Sequence, residues 1–205
     1  MILLAVCWLP YCIALSPGSI NYDTAVQIVQ FVSLLENGDY PLSDHHPVFD
    51  TLVFGVFFCI GDALVGDMRA RLQVLIVLQA VITAVAISWS IVRAVVSWGV
   101  PRSLAVVLFL LVALLPMFPL AVCSLSKDTF FSWLYVLFFP MVVDLAVRGH
   151  ALLRKPSFFL GLVAVCVLMG LTKKFGIYVV VGTLAVSVLC APKTRSNVIR
   201  LACRR

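Results

Sequence analysis

Two aspartates, a pair of adjacent histidines and three lysines carry most of the chemical possibilities of this chain. Asp23 stands in "NYDTAVQ" and Asp128 in "SLSKDTFF", each near the start of a predicted helix, where the helix dipole favours an ionised carboxylate. Either residue also reads as a simple helix cap. If the two converge in the folded chain, they have the oxygen ligands for a divalent metal, or one can take a proton from an acceptor hydroxyl. The segment "DYPLSDHHPVFD", residues 39–50, gathers Asp39, Asp44, Asp50, His45 and His46. Pro47 biases His46 toward extended backbone, and neighbouring side chains of an extended chain point in opposite directions, so one of the two histidines faces any site. A neutral imidazole there offers a hydrogen bond to phosphate or sugar, or a metal ligand; otherwise it lines an interfacial loop. Lys127 beside Asp128, and Lys173 with Lys174, are point charges suited to a phosphate, or snorkel to headgroups.

The elements that must position these residues are apolar. The chain of 205 residues is 63% hydrophobic and 12% charged, with a mean hydropathy of +1.13. That leaves too little polar surface to coat a water-soluble globule. The composition predicts an all-α, polytopic transmembrane helix bundle. Apolar runs lie at 1–15, 72–92, 103–122, 129–147, 157–171 and 175–191, with a further run at 48–65. The first run lacks a basic leading segment and reads as a retained anchor.

Charge decides how the chain threads. If the N-terminus is inside and every run crosses, five of the fifteen Lys and Arg residues fall inside and ten outside, the reverse of the positive-inside expectation. If 48–65 returns to the outer face as a re-entrant or interfacial helix, the counts exchange. The second threading puts residues 16–71, "SLSKD" and "LTKKFG" on the outer face, with eight of the nine carboxylates; Asp144 is the exception. Within the first outer loop, "NYDTAVQIVQFVSLLENGDY" reads as a juxtamembrane helix along the surface, with Val26, Val29, Val32 and Leu35 as its apolar stripe. Trp89, Trp98 and Trp133 read as belt or packing residues.

The seven cysteines are scattered, without metal-binding spacing, and predict neither a disulfide framework nor a zinc site. The net charge of +6 sits at span ends rather than on one soluble face, which argues against nucleic acid as a partner. No internal repeat or low-complexity linker divides the chain, so residues 1–205 form a single transmembrane domain.

The succession "SPGSINYDTAVQ", "NGDYPLSDHHPVFDTLVFG", "LPMFPLAVCSLSKDTFF" and "LTKKFGIYVVV" resembles the N-terminal half of polytopic GT-C superfamily glycosyltransferases. The likeness is to a bacterial branch related to the protein mannosyltransferase and aminoarabinose transferase types, and covers about residues 8–190. It implies a catalytic aspartate in the first outer loop at Asp23, a His-Pro segment at His46 and Pro47, and a second acidic position opening a later span at Asp128. It also implies that the chain is the N-terminal part of a larger module in a bacterial plasma membrane. The activity implied is transfer of a sugar from a polyprenyl-phosphate donor to a glycan or protein acceptor at the outer face. Asp23 would deprotonate or orient the acceptor hydroxyl, Lys127 and Lys174 would steady the lipid phosphate, and His46 and Asp128 would shape the site. Lys173, His45 and Asp44 stand beside these as substrate-binding candidates. Asp128 lacks the paired carboxylate of a DxD or DxE motif, so a divalent metal at Asp23 and Asp128 stays an open expectation. Two other readings stand beside this one, a non-catalytic membrane subunit and a transporter-like bundle.

Overall fold

In the computed structural model the residues described are 1–36, 38, 40–42 and 46–194, with backbone only at 65, 68 and 189–194. Asp39, Asp44 and His45 lie outside them. Among the described residues the regular structure is helical apart from one short ladder. In order it runs α1 (Ile2–Ala14), β1 (Ser19–Ile20), α2 (Tyr22–Glu36), α3 (Val48–Val65), α4 (Met68–Trp98), α5 (Arg102–Leu114), α6 (Met117–Val122), β2 (Ser124–Leu125), α7 (Lys127–Arg148), a 3-10 turn (His150–Arg154), α8 (Pro156–Thr172) and α9 (Lys174–Thr194).

Among the described residues, two helices are long and apolar enough to cross a membrane, Arg69–Trp98 of α4 and Lys127–Arg148 of α7. The other apolar runs form shorter helices. α1 and α5, at 13 residues each, reach about 20 Å, less than the roughly 30 Å of a hydrocarbon core. The run 103–122, expected to be continuous, is broken. Pro116 forces Leu115 into extended backbone, with φ −71° and ψ 121°, and separates α5 from α6.

Proline also leaves carbonyls without their helical donor, and neighbouring helices supply replacements. Pro116 deprives the Val112 carbonyl of its partner, and the Trp8 indole Nε1 donates to that oxygen at 3.2 Å. Pro140 does the same to Val136 inside α7. The Ser90 hydroxyl of α4 lies 2.8 Å from both that oxygen and its own Ala86 carbonyl, sharing its proton between them. These bonds tie α1 to α5 and α4 to α7 at the points where a helix would otherwise expose bare backbone.

Three apolar clusters fill the interior. Leu4, Trp8, Ala84, Ile87 and Val122 join α1, α4, α5 and α6; Ile28, Phe54, Phe58, Leu75, Ile76 and Leu125 join α2, α3, α4 and β2; Leu134, Phe138, Met141, Leu162 and Met169 join α7 to α8. α3 turns back on α4 through Gly66, whose left-handed φ of 70° ends the helix. α2 inverts the stripe expected for it. Thr24, Gln27, Ile28, Gln30 and Phe31 are the buried residues, while Val29 and Leu35 are 54% and 64% exposed. Of the expected stripe, Val32 still packs against the core, and the inner face mixes apolar Ile28 and Phe31 with polar Thr24, Gln27 and Gln30.

Candidate functional site

The site is organised by the ladder. β1 and β2 pair in parallel, with Ser19 opposite Ser124 and Ile20 opposite Leu125. Ser19 N–H donates to the Cys123 carbonyl at 2.9 Å and Asn21 N–H to the Leu125 carbonyl at 3.0 Å. Gly18 makes the approach possible: it has φ +98°, and a Cβ there would lie 2.7 Å from the Cys123 carbonyl oxygen. The helices that follow start in the same way. The Asn21 carbonyl accepts from Ala25 N–H at 2.9 Å, and the Ser126 carbonyl accepts from Phe130 N–H at 3.0 Å.

This register makes "SINYDT" and "SLSKDT" equivalent, a local internal repeat that the sequence reading missed. Asp23 and Asp128 therefore occupy the second position of two neighbouring helices, α2 and α7, where the dipole stabilises each carboxylate. The Ser126 side chain accepts from Asp128 N–H at 3.1 Å, so Ser126 is the cap of α7 and the Asp128 carboxylate is left for other partners.

Each aspartate holds a lysine. Lys127 Nζ donates to Asp23 Oδ2 at 2.6 Å, across the repeat. Lys173, between α8 and α9, donates to Asp128 Oδ1, and its ammonium lies 5.6 Å from the centre of the Phe131 ring. α9 comes close to α8 because Gly176 carries no side chain; a Cβ there would sit 2.1 Å from the Met169 carbonyl oxygen. Thus Asp23, Lys127, Asp128 and Lys173 come together, and the two lysines hold the carboxylates rather than standing apart as phosphate ligands. This does not fit the divalent ion considered for Asp23 and Asp128. Each carboxylate already has an ammonium, and among the described residues no three His, Cys, Asp or Glu side chains cluster.

Behind the pairs lies a residue that the sequence reading counted only as a loop carboxylate. Asp50, in the first turn of α3, is completely buried. Neither of its carboxylate oxygens has a hydrogen-bond partner among the described residues. Burial pushes its pKa up to about 8, against the opposing pull of the Lys127 ammonium and the Thr172 hydroxyl beside it. Thr172, Thr24 and Gln27 are also fully buried, and the Thr24 and Thr172 hydroxyls and the Gln27 carbonyl oxygen have no partner there either. The Gln27 amide donates to the Thr51 hydroxyl at a long 3.4 Å. His46 is 6% exposed, two residues ahead of α3. Lys174 opens α9. The clue to Asp50 was its place: an acid one turn into an apolar helix, just after a proline, points inward with that helix's first turn.

Chemically, the arrangement offers a carboxylate held by an ammonium, a second such pair beside it, and buried hydroxyl and carboxyl groups behind them. Residues 33–203 match the family of unknown function DUF6020. The chain belongs to that family. The matched residues include His46, Asp50, Lys127, Asp128, Thr172 and Lys173, and Asp23 precedes them. No curated protein and no solved structure matches the chain.

Proposed function

We propose that this DUF6020 member is a multi-pass membrane glycosyltransferase, or the N-terminal part of one, that moves a sugar from a polyprenyl-phosphate donor to an acceptor hydroxyl at the outer face. The observation that carries the reading is the β1–β2 ladder, which brings Asp23 and Asp128 side by side with Lys127 and Lys173. The acceptor O–H gives its proton to Asp23 while its oxygen bonds to the anomeric carbon of the sugar. The bond from that carbon to the donor phosphate oxygen breaks, and its electron pair leaves on the polyprenyl phosphate. Lys127 links the two events. Its ammonium holds Asp23 in place before the reaction and, drawn to the departing phosphate, offsets the charge that develops there.

The membrane setting is supported by an inverted surface. Val96, Leu160 and Val181 are 76%, 64% and 61% exposed, whereas Thr24, Gln27, Gln30 and Gln79 are buried. So much outward apolar surface on a monomer calls for a lipid or protein neighbour. The threading with 48–65 at the outer face is supported by the packing of α3. Its partners are Leu75, Ile76 and Phe130, near the Lys127 end of α7, with Arg71 at its far end; it does not run along α7 toward Asp144.

The test is transfer of labelled sugar from a polyprenyl-phosphate donor by the protein reconstituted in vesicles. Asp23→Asn lowers the transfer rate by about 10²–10⁴-fold, the range for a general base, without loss of donor binding. Undiminished transfer by Asp23→Asn rules out the assigned role.

A further inference from the structure

The end of the bundle opposite the site holds a second constellation. Asp144 lies sixteen residues along α7 from Asp128, about 24 Å away. It is fully buried and held by Arg93 of α4, whose Nε donates to Oδ2 at 2.5 Å. Arg148 Nε lies 3.7 Å from Oδ1, and the Trp98 indole donates to Oδ1 at 3.0 Å. Between α4, α7 and α8, next to this cluster, is a cavity of about 490 Å³, within the range of small-molecule sites. Arg93, Arg148 and Lys155 line its polar side, and Leu137, Phe158 and Val165 are among its apolar walls.

The charges do not cancel. Three cations face one carboxylate, leaving the wall with two positive charges in excess. Arg93 meets Asp144 through Nε and Nη2, and Arg148 uses Nε on Asp144 and donates from Nη2 to the Ser97 carbonyl at 3.3 Å. Each guanidinium keeps Nη1 for a further acceptor, and Asp144 holds both forks in position. Lys155 has no ion pair among the described residues. The Arg93 guanidinium also lies 5.0 Å from the centre of the Trp89 ring, and both side chains line the cavity.

We infer that this cavity binds the headgroup of an anionic phospholipid, its phosphate on Arg93, Arg148 and Lys155 and the start of its acyl chains along the apolar walls. A phosphate matches the excess charge and the planar donors, and a basic pocket between apolar helices is the kind of site that retains acidic lipid. A small soluble anion would use the polar side and leave the apolar walls idle. The site is independent of Asp23 and of any transfer reaction.

Native mass spectrometry of the detergent-purified protein tests this with phosphatidylglycerol, phosphatidylcholine and inorganic phosphate as probes. Phosphatidylglycerol binds at least about tenfold more tightly than phosphatidylcholine, and removing one charge lowers that preference roughly fivefold. Lys155→Gln, which leaves the Asp144 cluster intact, is the first variant, and Arg148→Gln the second; Arg154→Gln, outside the cavity lining, leaves the preference unchanged. Equal binding of the two lipids, or a preference that survives Lys155→Gln and Arg148→Gln, overturns the assignment. So does displacement of the lipid by inorganic phosphate at matched concentration, which would make it a soluble-anion site.

Discussion

Asp50 and Asp144 are both completely buried, yet the protein treats them in opposite ways. Asp144 is surrounded by donors: two guanidinium groups and an indole satisfy both oxygens. Asp50 has no partner in full hydrogen-bond geometry among the described residues, only the nearby Thr172 hydroxyl and Lys127 ammonium, and burial outweighs both, pushing its pKa up to about 8. Burial alone therefore does not tell the two acids apart; the number of donors around each does. A saturated carboxylate locks α4 to α7, whereas an unsaturated carboxyl beside Lys127 is left with hydrogen-bonding capacity for something else.

Mutation at the two positions should separate them. Asp144→Ala has the largest expected effect, because it strips the counter-charge from Arg93 and Arg148; loss of one partner of a buried pair costs about 3–5 kcal/mol. Thermal unfolding in detergent, followed by tryptophan fluorescence, reads this as a large fall in Tm. Should Asp50→Ala lower Tm as much, the contrast between the two acids collapses.

Asp50→Asn acts next, on a slope rather than a midpoint. The folded carboxyl titrates near 8 and the unfolded one near 3.8, so between those values the folded state holds a proton that the unfolded state has released. Stability of the native protein thus falls as pH rises from about 4 to about 8, and is lowest above that window. Asp50→Asn flattens this fall and becomes the more stable form at the alkaline end. Parallel pH profiles for the two proteins would show that Asp50 finds a partner after all.

Lys173→Ala gives the smallest change. Its pair with Asp128 is partly exposed, at 37% and 61%, and such pairs contribute at most about 1 kcal/mol. Tm should barely move, while sugar transfer in the vesicle assay falls. A Tm loss near that of Asp144→Ala would turn the outer pair into a second structural clamp.

Much of the fold was readable as local pattern. Apolar runs located the helices, the run 48–65 among them, and the polar helix ends pointed to Asp23, Asp128, Lys127 and Lys173. The break at Pro116 was present in the local sequence and was missed. The bonds from Trp8 and Ser90 that repair its effect and that of Pro140 depend on which helix lies alongside. Trp89 and Trp98 read as belt or packing residues; Trp89 does pack against the Leu134 cluster and also meets Arg93, while Trp98 donates to Asp144. α2 buried Thr24, Gln27 and Gln30 together with Ile28 and Phe31 against α3, a mixed face that the spacing of its valines did not announce.

By itself, then, the amino-acid order determined that the chain is helical and apolar, and that its ionisable groups collect at helix ends. Those are properties of a few consecutive residues, set by hydrophobic period, capping and the cost of burying charge. Only the tertiary structure decided that Ser19 lies opposite Ser124, that Lys127 pairs with Asp23 rather than with its neighbour Asp128, and that Asp50 is sealed while Asp144 is saturated. Those outcomes join segments some fifty to a hundred residues apart, and they follow from how the helices pack, not from the local sequence on either side.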